Sequence, residues 1–155
     1  MSGNTNYVIR IANTPEDIEK CMQIRKEVFI DEQGYDISIE TNDDDYQSTH
    51  FLMISNKDEP IGTIRLINNN NQLGRFAIMK TFRSKGFGKP LIEFVHEHVR
   101  NKGGVEIWCQ SQAANPNSGG IDATGFYKKM GYVNKGELYM KEGTQHQDMV
   151  YYLKH

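Results

Sequence analysis

The segment Arg83-Ser84-Lys85-Gly86-Phe87-Gly88-Lys89-Pro90 follows an apolar, strand-like stretch and opens a helix-like one. Two glycines one residue apart let successive backbone N–H groups turn toward an anion, and a helix N-terminus adds positive potential. These residue types suit a phosphate cradle, with Arg83, Lys85 and Lys89 supplying charge around it. A dinucleotide fingerprint would need a third glycine at Leu91, and a Walker loop would need glycine at Arg83 and serine or threonine at Pro90. Both alternatives fail. Pro90 removes one amide donor, but in a first helical turn that donor has no intrahelical partner. On these residues alone, a Gly-rich turn that binds nothing is an equally open reading.

Other side chains with chemical capacity are scattered. His50 and His146 are of the type that exchanges protons near neutral pH. His96 and His98 stand two apart on a helical stretch, so they cannot form an i, i+4 metal pair and read as surface or packing histidines. Cys21 and Cys109 have neither CxxC spacing nor enough partners for zinc, and read as two buried, reduced thiols. The run Asp43-Asp44-Asp45 lacks the spacing and glycine of a calcium loop. No metal site is expected.

These groups must be positioned by the elements around them. The periodicity predicts a strand over Tyr7–Ala12, then a helix capped by Thr14, with Pro15 in its first turn, running to about Phe29. Ile18, Cys21, Met22, Val28 and Phe29 mark its buried face, with Arg25 among them. Residues 31–47 read as acidic and irregular. A hairpin of His50–Ser55 and Ile61–Ile67 follows, then a polar Asn turn into a strand over Gln72–Met79. A helix from about Gly86 to Asn101 ends at Gly103-Gly104 and leads to a buried strand, Val105–Gln110. Ser111–Ile121 reads as a long loop of the kind that often carries function, and Asp122–Met130 as a short helix. Tyr132–Met140 and Met149–Leu153 are the closing strands. Strands bracketing helices predict an α/β (α+β) fold around a mixed sheet. No linker or repeat divides the chain, so residues 1–155 read as one domain.

The order Arg-x-x-Gly-x-Gly, helix, strand, helix, and then Phe126-Tyr127-Lys128-Lys129-Met130-Gly131-Tyr132, resembles the GNAT family of acetyl-CoA-dependent N-acetyltransferases over nearly the whole chain. The segment Arg25–Gln33, the acidic stretch ending at His50, and Gly136–Met149 with His146 are most similar to its ElaA/YjcF-type subgroup. The resemblance implies a mostly antiparallel sheet with splayed central strands flanked by helices. It implies that acetyl-CoA is the co-substrate, its pyrophosphate held by the backbone of Ser84, Lys85, Gly86, Phe87, Gly88 and Lys89. Phe76, Ala77 and Ile78 would face the acetyl and pantetheine arm. Many members carry an Asn seven residues before the tyrosine; here that position is Gly120, with Asn115 or Asn117 as substitutes.

An amine attacking a thioester must be neutral, and the reaction needs a stabilised oxyanion and a protonated leaving sulfur. Tyr127 matches the family's tyrosine near the sulfur, and a backbone N–H near Ile78 is the expected oxyanion donor. For the base, Glu32, His50 and His146 stand as alternatives, Glu32 also as an amine anchor. Asp43–Asp45 reads as a solvated loop, or with Glu32 and Glu40 as a negative entrance for a cationic acceptor. Covalent transfer through Cys109 is disfavoured, since no neighbour in sequence would activate it.

Composition bounds the partners. Eighteen Lys and Arg against twenty Asp and Glu give a formal charge of −2, which argues against a nucleic-acid or anionic-membrane surface. Apolar runs such as Phe51–Ile54 are far short of a membrane span, and Met1–Asn4 has no signal-peptide core. A cytoplasmic protein is expected, with a nuclear location left open. A small-molecule or peptide amine is the expected acceptor, and the chain a monomer or homodimer. The second functional reading is a non-catalytic acyl-CoA-binding module; Tyr127 and both motif glycines favour the enzyme.

Overall fold

The computed structural model describes residues 6–37, 42–113 and 123–154. Thr14 caps the first helix as its sequence predicts: its hydroxyl accepts from the Asp17 N–H at 3.2 Å, with Pro15 in the first turn. This helix, α1 (Pro15–Arg25), does not stop at Phe29 but widens into π-helical turns over Lys26–Glu32. Gly34, at a φ of 79°, closes it with its N–H on the Ile30 carbonyl.

Seven strands form one sheet: β1 (Tyr7–Ile11), β2 (Ser48–Ser55), β3 (Pro60–Ile67), β4 (Gln72–Ile78), β5 (Glu106–Gln112), β6 (Val133–Lys141) and β7 (Thr144–Tyr152). Their order is β1-β2-β3-β4-β5-β7-β6. Every neighbouring pair is antiparallel except β4 and β5, which are joined by α2 (Gly88–Asn101). A short α3 (Thr124–Lys129) precedes the final hairpin. The mixed, mostly antiparallel sheet is the expected architecture.

Both faces of the central strands are covered, so β2 and β3 read as continuous buried runs rather than alternations. Leu52, Ile54 and Ala77 pack with Cys21, Ile24 and Val28 of the α1 layer. Phe51, Met53, Ile64 and Leu73 pack with Leu91, Ile92, Val95 and Val99 of α2 and with Tyr127.

Two strand boundaries differ most from the sequence reading. β5 continues through Ser111 and Gln112, and β7 begins at Thr144 rather than Met149. Gln110, Ser111 and Gln112 pair across to Asp148, Gln147 and His146, so polar residues complete a ladder that local composition does not reveal. The expected Ser111–Ile121 loop therefore begins later, and its residues 114–121 lie outside the described residues, Asn115, Asn117 and Gly120 among them. Glu40 also lies outside them.

The acidic stretch before β2 is ordered by charge. Asn42 and Asp45 form a reciprocal cap on a 3₁₀ turn over Asp43–Gln47. Asp45 then turns inward, bonding Arg25 Nη1 at 2.9 Å and Arg65 Nη1 at 3.0 Å. The two arginine side chains are only 1% and 4% exposed. Asp45, its side chain 12% exposed, is thus an inward-turned counter-ion rather than part of a solvated negative entrance; Asp43 and Asp44 remain exposed. Burial alone would raise the Asp45 pKa, but the hydrogen bonds and charges of Arg25 and Arg65 together hold it below the usual range.

Removing one partner of such a group leaves uncompensated buried charge. D45A is expected to lose about 3–5 kcal/mol in denaturant unfolding at neutral pH; a loss under about 1 kcal/mol would show that the arginines find other compensation. Because the folded pKa lies below the unfolded one, the wild-type advantage is full above about pH 4 and shrinks as pH falls through the folded value.

Candidate functional site

The central strands part. β4 and β5 pair only at Gln72 with Trp108 and Leu73 with Cys109. Immediately beyond, β4 carries a register shift against β3, and Arg75 adopts a φ of 51°. A bulge with a left-handed residue bends its strand and breaks the ladder. The backbone of Phe76, Ala77 and Ile78 therefore has no β5 partner, and neither do residues 110–112 on their β4 side. Backbone N–H and C=O groups at such an opening are available to a ligand. The sequence reading placed Phe76, Ala77 and Ile78 here but missed the bulge at Arg75, whose only signal is a non-glycine residue held at positive φ.

The cradle lies at the far end of β4. After one 3₁₀ turn (Lys80–Phe82), Ser84 and Gly86 adopt φ of 59° and 83°, an alternation that turns backbone N–H groups toward one side. Phe87 precedes α2, and no side chain caps the helix's first turn. The two glycines have different tasks. A Cβ at Gly86 would meet nothing within 4 Å, so the loop is open to a ligand there. At Gly88 it would meet Phe76 at 3.0 Å and Phe126 at 3.2 Å, two rings stacked at 5.6 Å. Gly88 lets α2 start close against the aromatic pair. Ser84, Lys85, Gly86 and Lys89 are exposed, whereas the Phe87 ring is buried against Tyr7 and Phe82 and can offer a ligand only backbone.

Arg83 points elsewhere. Its Nε donates to the Ile78 carbonyl at 2.8 Å, and its two Nη groups donate to both carboxylate oxygens of Glu32, Nη2 at 2.7 Å. The hydrogen bond from Arg83 holds the Glu32 carboxyl below its usual range. Glu32 is therefore an ion-paired anion, poorly suited to take a proton or to anchor an amine.

Tyr127 stands on α3, packed edge-on to Tyr132 at 5.2 Å and to Phe126 at 5.3 Å. Burial, with the nearby Cys109, raises its phenol well above the ordinary value, so it stays protonated. Burial also pushes the Cys109 thiol up to about 12, which removes it as a nucleophile at neutral pH. Ser111, facing the same way as Cys109 one pleat along β5 and beyond its last pair with β4, is 2% exposed, and its Oγ has no hydrogen-bond partner among the described residues. It was read from the sequence only as the start of a loop.

The histidines separate sharply. His50 is buried beneath α1 beside the Arg25–Asp45–Arg65 group, Nε2 on the Asp45 carbonyl at 3.0 Å and Nδ1 without a partner. Burial lowers its pKa, and the residue is enclosed at 6% exposure. His146 lies on the half of that same sheet face which α1 leaves uncovered. It pairs across β7 to Gln112, three residues past Cys109, while Phe76 is three past Leu73, so the register sets it level with the parted strands. Its Nδ1 is 2.9 Å from the Thr144 carbonyl. A carbonyl only accepts, so Nδ1 carries the proton and Nε2 of the neutral ring is the basic nitrogen. His96 and His98 are packing residues: His96 Nε2 meets the Tyr132 hydroxyl at 2.7 Å, burial lowers it to about 4, and His98 sits edge-on to Phe51.

A sheet parted beside an open, uncapped anion cradle is the frame of an acyl-CoA N-acyltransferase. The model of the acetyltransferase (GNAT) domain matches residues 12–153, and the chain belongs to that family. It is 29% identical over 146 residues to a Bacillus subtilis (strain 168) protein, covering 89% of this chain and 91% of the relative. Among solved structures it is similar to Escherichia coli ElaA, with a TM-score of 0.71, 21% identity and coverage of 94% and 98%. It is also similar to an aminoglycoside 6'-N-acetyltransferase solved with coenzyme A, with a TM-score of 0.74, 15% identity and coverage of 95% and 97%.

An anionic side chain at Gly86 would enter the open cradle and strain a left-handed residue. If the cradle holds the coenzyme, acetyl-CoA should raise the melting temperature of the wild type and not that of G86D. An unchanged shift would remove the cradle from the coenzyme site.

Proposed function

We propose that this protein transfers acetyl from acetyl-CoA to a primary amine by direct attack within a ternary complex. The observation that carries the reading is the open, left-handed Ser84–Gly86 turn running into the uncapped start of α2, at the end of the strand that parts from β5. The residues fit the coenzyme: the backbone of Ser84, Lys85, Gly86, Phe87, Gly88 and Lys89 would hold its pyrophosphate. The unpaired edge of Phe76–Ile78 and the orphaned Ser111 Oγ would meet its pantetheine arm. When bound, the coenzyme supplies an activated acetyl thioester. The solved relative that carries coenzyme A supports the same ligand class.

The chain's own groups then divide the work. The Nε2 of His146 accepts the proton that the acceptor amine must lose, directly or through water. A backbone N–H near Ile78 stabilises charge developing on the carbonyl oxygen. Tyr127 holds a proton on its phenol and delivers it to the departing sulfur: burial keeps that proton in place beforehand, and the same enclosure makes the departing thiolate a stronger base. Of the three bases open from sequence, His146 is the one neither ion-paired nor enclosed.

Two substitutions test this division with an amine panel and a thiol-release assay. Y127F keeps the ring packing and removes the proton, so kcat should fall about a hundredfold while acetyl-CoA binding persists; unimpaired turnover would rule Tyr127 out as the acid. H146Q should lower the rate at neutral pH and recover part of it in alkaline buffer, where free amine predominates. A parallel pH profile would return the search for the base to other groups. Tight acetyl-CoA binding with no thiol release from any amine would favour the non-catalytic module.

A further inference from the structure

The ion pair between Glu32 and Arg83 has no part in the steps above, yet it joins three pieces of the site. Glu32 ends the π-helical extension of α1, on the opposite face of the sheet from α2. Arg83 is the residue that leads into the cradle, and Ile78 is the last residue of the parted strand. A single guanidinium spans all three, with Nε on the Ile78 carbonyl and both Nη groups on the Glu32 carboxylate. The two side chains are about equally enclosed, 35% and 33% exposed, and 51 residues apart in sequence.

We propose that Arg83 is a positioning residue rather than a phosphate ligand: it latches the Lys26–Glu32 segment to the cradle, so that filling the coenzyme site also orders the segment across the sheet. The proposal rests on reading the cradle as the coenzyme site. Three of the five guanidinium N–H groups are already committed, in the planar two-pronged geometry that arginine offers and lysine does not. A phosphate drawing Arg83 away would release the Ile78 carbonyl and leave Glu32 facing the incoming anion. Keeping the pair closed avoids both costs and leaves the pyrophosphate to backbone N–H groups, Lys85 and Lys89.

The test combines acetyl-CoA titration calorimetry with hydrogen exchange on wild type, E32Q, R83K and the charge-swapped E32R/R83E. Under the latch, acetyl-CoA slows exchange at residues 84–88 and 26–32 in the wild type. E32Q keeps the first protection, loses the second, and weakens acetyl-CoA binding about fivefold or more. R83K behaves like E32Q, because an ammonium cannot bridge both carboxylate oxygens and the carbonyl. The charge swap rebuilds the guanidinium–carboxylate pair but not the bond to the Ile78 carbonyl, which a carboxylate at position 83 cannot donate to, so it restores protection of 26–32 only in part.

A phosphate-binding Arg83 predicts the reverse for E32Q: the freed guanidinium tightens acetyl-CoA binding, and that result would overturn the proposal. So would persistent ligand-induced protection of 26–32 in E32Q, or R83K milder than E32Q. Failure of the wild type to bind acetyl-CoA would sink the coenzyme reading itself. The ligand-free comparison then still decides the latch, since E32Q must speed exchange across 26–32, and equal rates would refute it.

Discussion

The separation of β4 from β5 is the constraint on which the other features of the site depend. A sheet interior normally satisfies its backbone groups by pairing, and here the pairing stops after two residue pairs. The cause is local. One extra residue in β4, absorbed by Arg75 in a left-handed conformation, lengthens that strand relative to β3 and turns its end away from β5. The α2 crossover then starts where β4 ends and returns beneath the sheet to β5, so the cradle, the unpaired strand edge and the helix start all face one opening. Tyr127 reaches the same region because the start of α3 is tied back to the end of β5, the Ala123 N–H donating to the Gln112 carbonyl at 2.7 Å.

An opened sheet needs rigidity from elsewhere, and the α1 face supplies it with charge rather than with apolar packing alone. Arg25 and Arg65 are nearly inaccessible and share Asp45. Such a group is weak evidence for net stability, because desolvation offsets most of the attraction. Its effect is to specify one arrangement. Asp45 fixes the 3₁₀ turn ahead of β2, Arg25 fixes the last turn of α1 before it widens, and Arg65 lies over Gly74, one residue before the bulge. The bulge and the widened end of α1 are thereby referred to the same carboxylate.

Much of this was legible in the sequence, and the part that was not has a common physical origin. The Thr14 cap, the β2–β3 hairpin, the Gly-rich turn and the placement of Tyr127 depend on residues within a few positions of one another, and local spacing carries them. Arg25 was visible as a charged residue on an apolar face, but its partner is 20 residues away and hidden in a run that reads as solvated. Glu32 and Arg83 each looked like site residues; that they meet is a property of the assembled fold. The start of β7 was missed because Gln145, His146 and Gln147 have weak strand preference, and cross-strand pairing with β5 overrides it. His50 illustrates the converse: its residue type suggested chemistry, but burial on both sides of β2 withdrew it.

These pairings also change what the charges around the cradle mean. In the sequence, Arg83, Lys85 and Lys89 look like a cationic cluster for a pyrophosphate, yet Arg83 is neutralised by Glu32 and only the two lysines remain exposed and uncommitted in that stretch. Exposed lysines act through screened, long-range attraction, which salt attenuates. Backbone N–H groups of a left-handed turn and an uncapped helix act at contact distance, with fixed orientation and no side-chain entropy to lose. The preference for an anion that the proposed coenzyme site requires is therefore built chiefly into the path of the main chain, and the main chain takes that path because Gly86 permits it, Gly88 lets α2 approach the aromatic pair, and Arg83 ties the turn's first residue back to β4.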